Sequence, residues 1–175
     1  MIMRQEHVLL RANISVRLLG IGLAFLFIVL AFVTAILSVT PQTSYAQNST
    51  SFVSSFESLV KKANTLSQSY HNATEKAGKD NKTIIAITDS YQPKYQSLID
   101  ESKSLQPPQQ FQNATSLYTK SLESELQSNN HLRNSLATNN ATENKLSSKL
   151  LSDSFNYEIE AFKQLKASGL FSIVP

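Results

Sequence analysis

Residues 52–77 read FVSSFESLVKKANTLSQSYHNATEKA, and the fold turns on how their apolar members are spaced. Phe52, Phe56, Leu59, Ala63, Leu66, Tyr70, Ala73 and Ala77 fall alternately four and three apart, the heptad period of a coiled-coil seam on one stripe of an α-helix. Gly78 supplies a C-cap for this helix, and Asp80 or Asn81 an N-cap for the next.

Working outward, the same pattern recurs. Ile84, Ile87, Tyr91, Tyr95, Leu98 and Leu105 mark a second helix that Pro107-Pro108 stops, and Pro108 suits the first turn of a third. Phe111, Ala114, Tyr118, Leu122, Leu126, Leu132 and Leu136 form the third stripe, with Asn129 where a core residue is expected. Asn140 with Glu143 resembles a capping box, and Leu146, Leu150, Phe155, Ile159, Phe162 and Leu165 follow until Gly169. Helices of about 24–28 residues with short connections predict an all-α domain over residues 49–169, an antiparallel up-down-up-down four-helix bundle. After Ala46, 53 of 129 residues are Ser, Thr, Asn or Gln, so the helices have little intrinsic strength and their stability must come from a shared core. Pro93 lacks the amide that would bond the Asp89 carbonyl, which predicts a kink from Tyr91 to Lys94 and a candidate pocket at Tyr91, Pro93 and Tyr95.

Ahead of this domain, residues 18–39 carry no charge, and Thr34 and Ser38 are their only polar members. A run of about 22 residues at about 1.5 Å each is long enough to cross a bilayer as a helix. Arg4, Arg11 and Arg17 lie in the basic region 1–17, and no Lys or Arg follows until Lys61, so the positive-inside rule keeps the amino terminus cytoplasmic and exports the rest. Two readings of the run stand. It is a retained transmembrane anchor, or a signal peptide whose linker, residues 40–48, is cut after Ala46, with small residues Ser44 and Ala46 preceding Gln47. A pilin-like cut near Gly20 or Gly22 lacks the preceding basic residue and the early Glu that it needs.

Five Asn-x-Thr triplets follow the apolar run, at Asn48, Asn72, Asn81, Asn113 and Asn140, where random placement would give roughly one. Each is an N-glycosylation acceptor on the exported side. In the expected bundle Asn72, Asn81 and Asn140 gather at one end, with Asn48 and Asn113 at the other.

Most chemistry is absent from the pattern. The chain has no Cys, which excludes disulfides, thiolate metal sites and thiol catalysis. Its four Gly leave little means of building a phosphate loop or a nucleophile elbow. His71 and His131 stand at similar depths but beside their stripes, without the Glu-x-x-His of a di-metal site, so no metal or cofactor is expected. Asp100-Glu101, Glu123/Glu125 and Glu158/Glu160 read as solvated faces, because adjacent and i,i+2 carboxylates point to different sides of a helix. Of the net charge of +3, the region before residue 18 contributes most, so no nucleic-acid partner is implied.

The expectation is a non-enzymatic, extracytoplasmic glycoprotein, secreted or at the cell surface, serving as a structural or interaction module of the envelope. Its partners would be the membrane through residues 18–39, if these are retained, an envelope protein, or a second copy. The competing reading is a small-molecule-binding or sensory accessory domain that reports to a partner protein. The apolar tail, residues 170–175, caps the bundle or meets a partner.

Overall fold

The computed structural model describes residues 43–167, a stretch that is helical apart from short turns, with no strand among the described residues. The basic region 1–17, the apolar run 18–39, Gly169 and the tail 170–175 lie outside them. Four helices follow in order: α1 (Thr43–Ala77), α2 (Asn81–Ser104), α3 (Gln112–Thr138) and α4 (Ala141–Ala167). α1 has 35 residues and exceeds the expected length because it begins at Thr43, inside the stretch read as linker. Among the described residues no helix is long and apolar enough to cross a membrane.

Local chemistry fixes the turns. Gly78 sits at φ +62°, a left-handed conformation that glycine adopts without steric cost, and its amide closes back on the Glu75 carbonyl. Asp80 caps α2, its Oδ1 accepting from the amides of Lys82 at 3.1 Å and Thr83 at 3.4 Å. Leu105 ends α2, and a short 3₁₀ turn, Gln109–Phe111, follows Pro108 before α3. At the last turn Asn139 takes φ 53°, and Asn140 Oδ1 caps α4 through the Thr142 amide at 2.9 Å. The capping box is completed only on one side, because Glu143 bonds His131 across the helix pair and the Asn140 amide donates to the Ser135 carbonyl.

Pairings across the helices set their directions. Lys62 meets Glu101 and Tyr70 meets Thr88, so numbers climb along α1 as they fall along α2. Ser102–Thr119 and Gln92–Asn130 do the same for α2 and α3, and Ser121–Ser154 and Ser128–Ser147 for α3 and α4. Phe56 packs on Tyr118 and Ser67 bonds Glu125, which makes α1 and α3 parallel. The described residues thus form a helical bundle in which neighbours in sequence are antiparallel and α3 touches all three other helices.

The core is divided lengthwise. One end holds Phe52, Phe56, Leu59 and Ala63 of α1, Leu98 and Ile99 of α2, Phe111 of the 3₁₀ turn, Tyr118 and Leu122 of α3, and Ala161 and Leu165 of α4. Each large apolar side chain buried there contributes about 1.5–3 kcal/mol. Toward the other end the buried side chains are Tyr70, Thr88, Tyr95, Ser128, Asn129 and Ser147. There the Ile84, Ile87, Leu132 and Leu136 positions of the expected stripes are only half-buried.

α4 departs furthest from its expected stripe. Leu146 and Ile159 are exposed, at 37% and 51%, while Ser147, Ser154, Glu158, Ala161 and Leu165 are buried. The buried set has its own heptad spacing, but apart from Leu165, which the expected stripe shares, its members are small or polar. Small side chains let α4 approach α3 closely, and the serines then reach across: Ser154 Oγ donates to the Ser121 carbonyl at 2.9 Å, and Ser128 Oγ to the Ser147 carbonyl at 2.8 Å. Turning α4 to bury Leu146 and Ile159 would lose that contact.

Candidate functional site

Four of the five sequons have described side chains, and all four asparagines are exposed. Asn72 lies near the end of α1, bordering a shallow open groove with Ser69, Lys76 and Tyr91. Asn81 opens α2, and the hydroxyl of its sequon threonine, Thr83, donates to the Asp80 carboxylate. Asn140 uses its oxygen as a helix cap, while the nitrogen that would carry a sugar has no hydrogen bond among the described residues. Asn113 donates its Nδ2 to Gln164 Oε1 at 2.8 Å, and the hydroxyl of Thr115 in the same sequon is buried against the Phe111 carbonyl at 2.9 Å. Asn48 lies in the first turns of α1. The turns at 78–80 and 139–140 lie at the same end of the bundle, as the Arg133–Asp89 and Tyr70–Thr88 contacts between the adjoining helices show. Asn72, Asn81 and Asn140 therefore gather at the polar end of the core, and Asn113 lies at the apolar end.

Ser44, Ala46 and Gln47, the candidate cleavage residues, fall within the first turn and a half of α1. Around Pro93, α2 continues as one helix. Tyr91 and Tyr95, two of its three candidate pocket residues, both pack against the Tyr70 ring but otherwise have different surroundings. Pro93 borders a shallow, open groove with Lys62, Leu66 and Lys94. Tyr91 instead lies at the second groove, with its hydroxyl 2.6 Å from Ser69 Oγ and the Lys94 ammonium over its ring. Tyr95 is 1% exposed and belongs to the core.

The two histidines take different partners: His71 is exposed beside Glu75, and His131 Nδ1 lies 2.7 Å from Glu143 on α4. Among the described residues no group of three or more His, Asp or Glu side chains is arranged to hold a metal ion.

The carboxylates correct the reading as solvated faces. Glu123 pairs with Lys103 and Glu101 with Lys62, and Asp100 is exposed, as that reading requires. Glu125 and Glu158 do not conform. Glu125 is half-buried and accepts hydrogen bonds from Ser67 of α1 at 2.7 Å and Tyr95 of α2 at 2.8 Å, so one side chain ties three helices. Loss of water around it raises its pKa despite those bonds. Glu158 on α4 is 8% exposed and has no hydrogen-bond partner among the described residues; burial, then the charge of Glu125, pushes it up to about 7. Burial likewise raises the phenols of Tyr95, Tyr118 and Tyr70. Glu57 on α1 has one oxygen shut off from water without a partner among the described residues, and burial raises it too. Asn129, the expected gap in the third stripe, is buried with its Nδ2 unbonded.

Pairwise i,i+2 reasoning missed Glu158 because it compared the residue with Glu160 alone. Its heptad relation to Ser154, Ala161 and Leu165 was the signal that could have found it. No protein-family model matches this chain, and no curated protein and no solved structure gives a match to it.

Proposed function

We propose that this chain is an extracytoplasmic, N-glycosylated helical-bundle protein acting as a non-enzymatic structural or interaction module of the cell envelope. The observation that carries the reading is the set of five Asn-x-Thr triplets after the apolar run, with every described acceptor side chain exposed on the bundle. Residues 18–39 deliver the domain across the membrane and either anchor it or are removed after Ala46. The apolar tail contributes to contacts with the bundle end or a partner.

The test is an intact mass with amino-terminal sequencing on native protein, taken separately from the membrane pellet and the soluble extracellular fraction. Added mass in sugar-sized steps, lost one step at a time on Asn→Gln replacement at Asn72, Asn81 and Asn140, is the expected result. An unmodified mass from a host that glycosylates Asn-x-Thr overturns the glycoprotein reading.

A further inference from the structure

We propose that the groove between α1 and α2 beside Asn72 is a carbohydrate subsite, filled by the first sugar that Asn72 itself carries, with the ring of Tyr91 as the surface it rests on. The inference rests on the glycoprotein reading and adds to it a place for one particular glycan. One face of α1 builds most of the groove. Gln68, Ser69, Asn72, Ala73 and Lys76 lie three or four residues apart along that face, and Tyr91 of α2 stands opposite. The volume is about 430 Å³, inside the range of about 300–1,000 Å³ found for small-ligand sites. Of the two grooves described, this one alone contains a sequon asparagine. Asn72 is exposed, and its side chain makes no hydrogen bond among the described residues, unlike Asn113, whose Nδ2 is taken by Gln164.

Tyr91 is held as a fixed platform. Its hydroxyl lies 2.6 Å from Ser69 Oγ, its ring packs against Tyr70 with centroids 5.4 Å apart, and the Lys94 ammonium sits 4.1 Å above the ring centre. Lys94 lines the neighbouring groove and not this one, so it leaves the Asn72 side of the ring uncovered. A pyranose has the matching chemistry: its C–H bonds pack on the electron-rich face of an aromatic ring, and its hydroxyls bond polar groups at the rim. The Gln68 amide and the Lys76 ammonium stand at that rim, and neither has a hydrogen-bond partner among the described residues.

Depth decides between a free and a tethered occupant. A site for a free small molecule encloses about 70–90% of the ligand surface, whereas this groove is shallow and open to solvent. A sugar linked to Asn72 meets the groove at an effective concentration of about millimolar, set by its tether, so weak contacts suffice. There it would touch both α1 and α2 toward the polar end of the core, where Ile84 and Ile87 are only half-buried. A group that binds the folded arrangement and not the unfolded chain stabilises the fold.

The experiment uses the full-length chain from a host that glycosylates Asn-x-Thr, in detergent if the apolar run is retained. Glycopeptide masses first read the occupancy of Asn72. Urea unfolding is then compared for the natural chain, Asn72→Gln, Tyr91→Ala and the double variant, with Asn81→Gln in both backgrounds as a control that removes a sugar away from the groove. Asn72→Gln is expected to lower the folded-to-unfolded ratio at least about twofold in the natural chain, the smallest coupling usual for groups in contact, and to leave it unchanged in the Tyr91→Ala background. Asn81→Gln should act alike in both. As a measurement that needs no variant, proton resonances of the Asn72-linked sugar should be shifted upfield by the Tyr91 ring and show cross-relaxation with it. Equal losses in both backgrounds, with sugar resonances at their free-solution positions, overturn the subsite and leave the glycoprotein reading standing. An unmodified Asn72 overturns the subsite, and unmodified sequons throughout overturn the reading beneath it as well. Saturable binding of free glucose or N-acetylglucosamine to Asn72→Gln at micromolar concentration overturns the tethered assignment in favour of a free ligand.

Discussion

Tyr95 is the residue on which most of the mid-bundle geometry converges. Its ring is packed edge-on against Tyr70, and its hydroxyl donates to Glu125 at 2.8 Å with Ser67 Oγ 3.3 Å away. Tyr95→Phe keeps the ring and removes the donor, leaving a buried carboxylate with one bond fewer. A hydrogen bond to a charged group contributes about 1.5–3 kcal/mol, so urea unfolding at pH 8 should show a loss of that order. The loss should shrink toward pH 4.5, where a protonated Glu125 can supply its own donor. Tyr95 was legible in the sequence as a core position, since it continues the second stripe through Leu98. Its role as a donor was not, because the acceptor lies 30 residues away on a helix whose rotation no local spacing fixes.

At the level of the elements, α1 and α4 show two ways of making a seam. In α1 the seam is Phe52, Phe56, Leu59, Ala63 and Tyr70, all buried, and the apolar period alone finds it. In α4 most large apolar residues flank the seam, and the seam itself is Ser147, Ser154, Glu158 and Ala161, with Leu165 its one large apolar member. Hydropathy misplaces such a helix because it scores serine as polar without knowing that its Oγ can bond a helix carbonyl opposite. Close approach then substitutes for side-chain volume. This makes Ser154 intolerant of size: Ser154→Leu adds apolar surface yet forces α3 and α4 apart. Overpacking of this kind costs about 1–3 kcal/mol, and the loss of two bonds to Ser121 adds to it. A chemical denaturation curve checks it, the midpoint of the variant being expected below that of the natural chain.

Over the described residues, helix number, directions and the turns between helices followed from caps and periods, and the start of α1 at Thr43 and the lengthwise asymmetry of the core did not. Each stripe contains apolar residues from end to end, so the pattern implies an evenly filled interior. The structure concentrates full burial between Phe52 and Ala63, Leu98 and Ile99, Phe111 and Leu122, and Ala161 and Leu165. Beyond Glu125 the interior is made of hydroxyls, an amide with an unbonded Nδ2 and half-covered isoleucines and leucines. Surface ion pairs at that end, such as Arg133–Asp89, are solvent-exposed and add little. Native-state hydrogen exchange should therefore divide the bundle: amides of residues 81–92 and 128–138 open well before those of 52–63 and 114–122. Uniform protection along α1 and α3 would show that the polar half is held by something other than its own packing.

That division gives the positions of the sequons a different meaning. Asn72, Asn81 and Asn140 lie at the end of the bundle whose core is polar and half-covered, where opening is expected first, close in sequence to the two left-handed residues Gly78 and Asn139. An extracellular protease needs an unfolded stretch of backbone to cut, and those turns are where this chain would first offer one. Sugars attached at the three asparagines would stand over both turns, so the least stable part of the domain would also be the part best shielded from digestion.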